Sequence, residues 1–215
     1  MRRTKDVTFT FVYQLEVAEP GPIDVGPFAV TQGSVSVTSR ALHLEVGALP
    51  SSNQMAVELD FPDAPVYVGE RVPITLRLWL TGRLKENLFQ YALRVPFFGL
   101  TETFQFLDAP DAAGTTKVEI QTPGGPLAAM GSAHEEKRGS ETYLVVEIQR
   151  IVVPLRAGDL EIPAATLDVE EGVRFRRDLF GGRTPTQTRK WRSSDPLRPL
   201  SVKQIPTERM APSFA

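Results

Sequence analysis

The sequence predicts an all-β protein: an immunoglobulin-like β-sandwich, with one complete module preceded by a partial one. Three observations carry this. Short stretches alternate between apolar and polar residues with a period of two, as half-buried strands do. The 18 prolines and 16 glycines punctuate these stretches along the whole chain. Helical spacing is scarce, because windows of apolar residues at i, i+3, i+4 and i+7 are broken by proline or glycine.

The alternation can be followed along the chain. Val7, Phe9, Phe11, Tyr13, Leu15 and Val17 share one face, and Thr8, Thr10, Gln14 and Glu16 the other. It recurs at Leu42, Leu44 and Val46, and again at Met55, Val57, Leu59 and Phe61. It is clearest at Val72, Ile74, Leu76, Leu78 and Leu80, opposed by Thr75, Arg77 and Trp79. Further strands are expected over 88–95, 103–107, 115–121, 141–153, 160–169 and 197–205, and Thr81–Gln90 has room for one helical turn. Many short strands with regular turn signals point to a sandwich.

An internal repeat sets the domain organisation. Tyr13–Leu15, Gly21–Phe28, Ser39–Val46 and Leu49-Pro50 recur in kind, with single-residue offsets, as Glu147–Gln149, Gly158–Ala164, Ser194–Val202 and Ile205-Pro206. Each copy reads as a glycine-led short strand, a proline and a final alternating strand. Enough chain precedes the second copy for the opening strands of a module, whereas the first copy has almost none. The expected division is a partial module over 1–50, a complete one over 51–206, and a linker to a following module over 207–215.

Val66-Tyr67-Val68-Gly69-Glu70-Arg71-Val72-Pro73-Ile74-Thr75-Leu76-Arg77-Leu78 resembles the opening of a module in the BatD family, the oxygen-tolerance proteins of bacterial aerotolerance operons. Val153-Pro154-Leu155-Arg156-Ala157-Gly158 with Ile162-Pro163-Ala164 resembles the family's turn and proline-ended strand. Val202-Lys203-Gln204-Ile205-Pro206 resembles its junction before the next module. The resemblance implies a periplasmic or cell-envelope protein with several sandwich modules. It also implies other Bat-type envelope proteins, those with von Willebrand A domains, as partners. Membrane attachment would come only through segments this sequence lacks, and the chain reads as an internal or truncated piece of such a protein.

Composition narrows the function classes. With no cysteine, disulfides, thiolate catalysis and cysteine-held metals are excluded. A formal net charge of −2 argues against general attraction to nucleic acid. Met1-Arg2-Arg3 is basic, but no apolar stretch of signal-peptide type follows, and no run is long enough to span a bilayer.

No catalytic constellation is legible, and the expectation is a non-enzymatic protein–protein interaction module without metal or cofactor. His134, in Gly131–Gly139, has Glu135 and Glu136 beside it but reads as part of a solvated hairpin loop. His43 should point away from the core. The pairs Glu135/Glu136 and Glu170/Glu171 read as solvated turn charges, since strand neighbours face opposite ways. Asp108 and Asp111 lack the spacing of a calcium loop. Adjacent Phe97 and Phe98 cannot both face inward on a strand and read as packing under a loop.

The most informative segment is 172–192, with seven Lys or Arg and one acid. It is an insertion relative to the first repeat copy, and long loops in compact domains carry function. Arg174, Phe175, Arg176, Arg177, Phe180, Arg183, Arg189, Lys190, Trp191 and Arg192 are the expected partner-binding residues, combining arginines with aromatic anchors. The alternative is a carbohydrate-binding or adhesion sandwich, which would stack sugar on Trp79 or Trp191.

Overall fold

The computed structural model describes residues 8, 10–12, 15, 17, 20–62, 64–109, 114–177 and 182–205. The fold is all-β. The chain divides into two compact units, Met1–Leu49 and Pro50–Ala215.

The first unit holds β1 (Gly21–Val25), β2 (Ala29–Gln32), β3 (Val35–Thr38) and β4 (Leu42–Val46). β1 pairs antiparallel with β4, and β2 with β3. Gly33 takes φ +61° in the β2–β3 turn, a conformation that suits a residue without Cβ. The strand expected over Val7–Val17 is corrected: its described residues, 8, 10–12, 15 and 17, belong to no strand, and the rest of it lies outside the described residues, as does the whole of the linker expected over 207–215. No described residue of this unit is fully buried, and Val30, Val35, Val37 and Leu42 are exposed.

The second unit opens with β5 (Met55–Asp60), β6 (Val66–Tyr67), β7 (Val72–Thr81), the single-turn helix α1 (Gly82–Glu86) and β8 (Leu88–Arg94). A 3₁₀ turn, Pro96–Gly99, leads to β9 (Phe104–Asp108), β10 (Thr116–Thr122), β11 (Gly125–Arg138) and β12 (Glu141–Pro154). β13 (Gly158–Ile162), β14 (Ala165–Arg177), β15 (Arg183–Asp195) and β16 (Arg198–Lys203) complete it. The main sheet runs β15-β14-β8-β10-β11-β12-β7-β5, with β9 also on β12; β13, β16 and β6 form a smaller sheet.

The main sheet curls because β11 serves two neighbours. Residues from Gly125 to Gly131 pair with β10, and those from Ser132 to Arg138 pair with β12. Gly131 stands at the corner, where a Cβ would lie 2.9 Å from the Glu147 carbonyl oxygen. The two arms of the sheet thus face each other. Leu59, Ile74, Leu76 and Ile148 of one arm pack with Leu93, Ile120 and Leu167 of the other in one buried core. The arms meet again at their far edges, where β5 donates the Val57 and Leu59 N–H groups to Ser193 Oγ and Asp195 Oδ2 of β15, at 3.2 and 3.1 Å.

The sequence repeat is a repeat of ladder register. Gly21 pairs with Val46 and Val25 with Leu42; Gly158 pairs with Val202 and Ile162 with Arg198. In each copy this five-residue ladder brackets an inner hairpin, β2–β3 in the first and the much longer β14–β15 in the second. Leu160, Ile162, Leu200 and Val202 are buried in the second unit, while Leu42 and Leu44 of the first are 56% and 37% exposed. In the second unit these ladder residues belong to its hydrophobic core.

Three further expectations are corrected. The stretch 131–139 is strand rather than loop, with the turn confined to Gly139-Ser140. The single strand expected over 160–169 is two, β13 and the start of β14, separated at Pro163-Ala164. Phe97 and Phe98 are both buried, in line with the packing expected of them, because the 3₁₀ turn aims successive side chains about 120° apart instead of the 180° of a strand. The pair Glu170/Glu171 lies on β14, not in a turn, and Glu171 is buried.

Candidate partner-binding hairpin

The segment expected to be an inserted loop is two strands. β14 and β15 pair from Ala165↔Asp195 outward to Arg177↔Arg183, so the described residues 172–177 and 183–192 form the outer part of a long hairpin. β-Branched and aromatic residues support this extended form; Thr184, Thr186 and Gln187 are exposed, while Thr188 is half-buried and donates its hydroxyl to Glu170 Oε1 at 2.5 Å.

The base of the hairpin is fixed by charge. Asp168 on β14 accepts hydrogen bonds from Arg192 Nε and Nη2 at 2.6 and 2.7 Å, and from Arg94 Nη1 on β8 at 2.6 Å. Burial raises the Asp168 pKa, but the hydrogen bonds and charges of Arg192 and Arg94 outweigh it and hold the carboxyl below its ordinary range. The same contact raises the Arg192 pKa against the opposing effect of burial. Beside this clamp, Trp191 Nε1 donates to buried Glu171 at 2.9 Å, and Arg83 approaches the same carboxylate at 3.5 Å. The Trp191 ring packs on the core, with the Arg189 guanidinium 5.3 Å from its centroid.

Beyond Glu171 the hairpin outruns its neighbour. The last β8 partner is Leu88, paired with Glu171; Gly172 still donates its N–H to the Asn87 carbonyl at 2.8 Å, and beyond it Arg174–Arg177 and Arg183–Gln187 pair as a ribbon with no third strand among the described residues. A bulge at Gly172–Phe175 twists it. There Phe175 folds back over Gly172, whose absent Cβ would lie 2.4 Å from the ring, and faces Pro185 across the ladder. The Arg183 guanidinium stacks 4.0 Å from the Phe175 centroid.

The ten expected contact residues therefore divide. Arg174, Arg176, Arg177, Arg183, Arg189 and Lys190 are exposed along the ribbon. Phe175, Trp191 and Arg192 are only partly exposed and hold the hairpin together, so the two described aromatic anchors, Phe175 and Trp191, do not project freely. Phe180 lies outside the described residues, as do Asp178 and Asp111. The clamp residues Arg94 and Asp168 were not singled out from sequence: their partnership depends on β8 and β14 lying side by side, which no local pattern encodes.

The remaining sequence candidates sit apart from one another. His134 Nε2 reaches only Glu136, at 3.4 Å on the exposed part of β11, and His43 Nδ1 lies 2.7 Å from Asp24 on the first unit. Among the described residues no three His, Asp or Glu side chains gather as metal ligands would. Trp79 is 6% exposed, donates to Glu58 at 2.9 Å and lies under Arg138, so it offers no open stacking face. Among the described residues no helix is long and apolar enough to cross a membrane.

Comparison with family models, with curated proteins and with solved structures returned no match.

Proposed function

We propose that this protein is a non-enzymatic binding module that docks a protein partner through the β14–β15 ribbon. One observation carries the reading: a ribbon that leaves the sheet after Glu171, is fixed at its root, and exposes Arg174, Arg176, Arg177, Arg183, Arg189 and Lys190 on a chain of net charge −2. Fixing the root lowers the conformational entropy lost on docking. Exposed arginines and lysine select an acidic face and raise the association rate with it. By the resemblance carried in Val66–Leu78, the partner is a cell-envelope protein with a von Willebrand A domain, and the module works in a BatD-like aerotolerance complex.

The test is charge reversal at Arg174, Arg176, Arg189 and Lys190 to Glu, which leaves Asp168, Trp191 and Arg192 in place. Capture of a purified von Willebrand A domain partner is expected to be lost, with thermal unfolding unchanged. Capture of that partner at undiminished strength by the reversed variant would sink the proposal.

A further inference from the structure

The second unit contains a buried cation that nothing in the ribbon explains. Arg150 lies on β12 between Ile148 and Val152, at the register of the inward-facing core residues. Its side chain is 13% exposed. Its one ion pair among the described residues, Nη2 to Asp108 Oδ1, is 3.4 Å long, and the Asp108 side chain is 94% exposed. Its Nε is buried without a hydrogen-bond partner among the described residues. A guanidinium has five donors and normally loses them to water only when acceptors replace it.

Topology explains how an arginine comes to be there. On one edge of β12, β11 pairs as far as Ser132↔Glu147, and β9 takes over at Asp108↔Arg150. Between these points β11 turns away to join β10, and the sheet forks. The fork opens as a cleft of about 620 Å³ between Phe104–Phe106 on one side and Thr122–Leu127 on the other. Arg150 forms part of its wall, with its guanidinium 5.4 Å from the Phe98 centroid and 5.9 Å from that of Phe106. Its volume falls within the range of small-ligand sites.

We propose that this cleft binds a monoanionic organic carboxylate with an apolar or aromatic body. The anion follows from Arg150, the only charged residue in the wall among those described. One cation matches a carboxylate better than a phosphate dianion, and its planar fork suits carboxylate geometry. The apolar body follows from Phe98, Phe104, Phe106 and Leu127. On binding, the carboxylate replaces the long contact from Nη2 to Asp108. The site is independent of the ribbon.

Calorimetric titration of the full chain tests it, with 3-phenylpropionate for a free small acid and N-acetylphenylalanine for a peptide C-terminus, each against its uncharged amide. At least one acid is expected to saturate a single site, with its amide about tenfold or more weaker. Arg150→Met is expected to abolish binding and Arg150→Lys to retain part of it. Backbone amide NMR shifts should concentrate in 98–106 and 122–127, which keeps the test decisive should the Met variant misfold. Equal affinity for acid and amide, shifts centred elsewhere, or no saturation by either acid at millimolar concentration overturns the proposal.

Discussion

The Asp195 carboxylate accepts the backbone N–H of Leu59 at 3.1 Å, closing the seam where the last strand of the long hairpin meets the first strand of its unit. Edge strands leave N–H groups unpaired, and a buried unpaired donor is expensive. Here a side chain does what a further strand would do. The same carboxylate also holds Arg198 Nη2 at 2.6 and 2.8 Å. Asp195→Ala is expected to destabilise the second unit by about 2–3 kcal/mol, leaving both partners unmatched. Urea denaturation followed by tryptophan fluorescence reads this unit alone, because both tryptophans, Trp79 and Trp191, lie within it.

Asp168 gives a pH dependence of definite sign. Its folded pKa lies below the ordinary value of 3.8, so its contribution is complete above that value and is lost as the pH falls through the lowered one. Asp168→Asn should cost about 1–2 kcal/mol at neutral pH, the exposure of both arginines keeping the loss moderate. The gap between wild type and variant should narrow with acidification below the carboxyl range. A gap that stays constant from neutral to strongly acid solution would contradict this account.

Gly131 separates steric demand from mere glycine content. A Cβ there meets the Glu147 carbonyl oxygen at 2.9 Å, whereas one at Gly124 meets only Thr122 Oγ1, at 3.8 Å. Gly131→Val should destabilise by about 2 kcal/mol or more through overpacking at the corner. Gly124→Ala should stay within about 0.5 kcal/mol of wild type in the same denaturation experiment.

Phe97 is fully buried and meets Phe61, Phe104 and Phe106 edge to face, with centroids 5.0–5.3 Å away. Phe97→Ala should cost about 3–5 kcal/mol, seen as an earlier denaturation midpoint. A loss under about 1 kcal/mol would mean that the 3₁₀ turn does not seat this ring in the core.

Strands whose two faces differ in polarity are legible in the amino-acid pattern. Val72 to Leu80 alternates because β7 has one face in the core, and 141–153 is found as β12 with a shift of one residue at its end. The repeat is legible because the ladders at Gly21–Val25 and Gly158–Ile162 need the same residue types in the same order. The outer half of β11 and the ribbon escape such a reading because they are polar on both faces, and a strand solvated on both sides has no period-two signal.

Sequence by itself determined that this chain is β-rich, that one order of short strands and turns occurs twice, and that a basic segment lies between Gly172 and Arg192. Those properties are set by residues close together in the chain, through backbone sterics and the cost of burying polar groups. Tertiary structure alone decided that Asp168 would join Arg94 to Arg192, that Asp195 would cap Leu59, and that Arg150 would open onto a cleft at the fork. Each depends on strands far apart in sequence becoming neighbours, and the strand order that makes them so follows from packing the whole core at once.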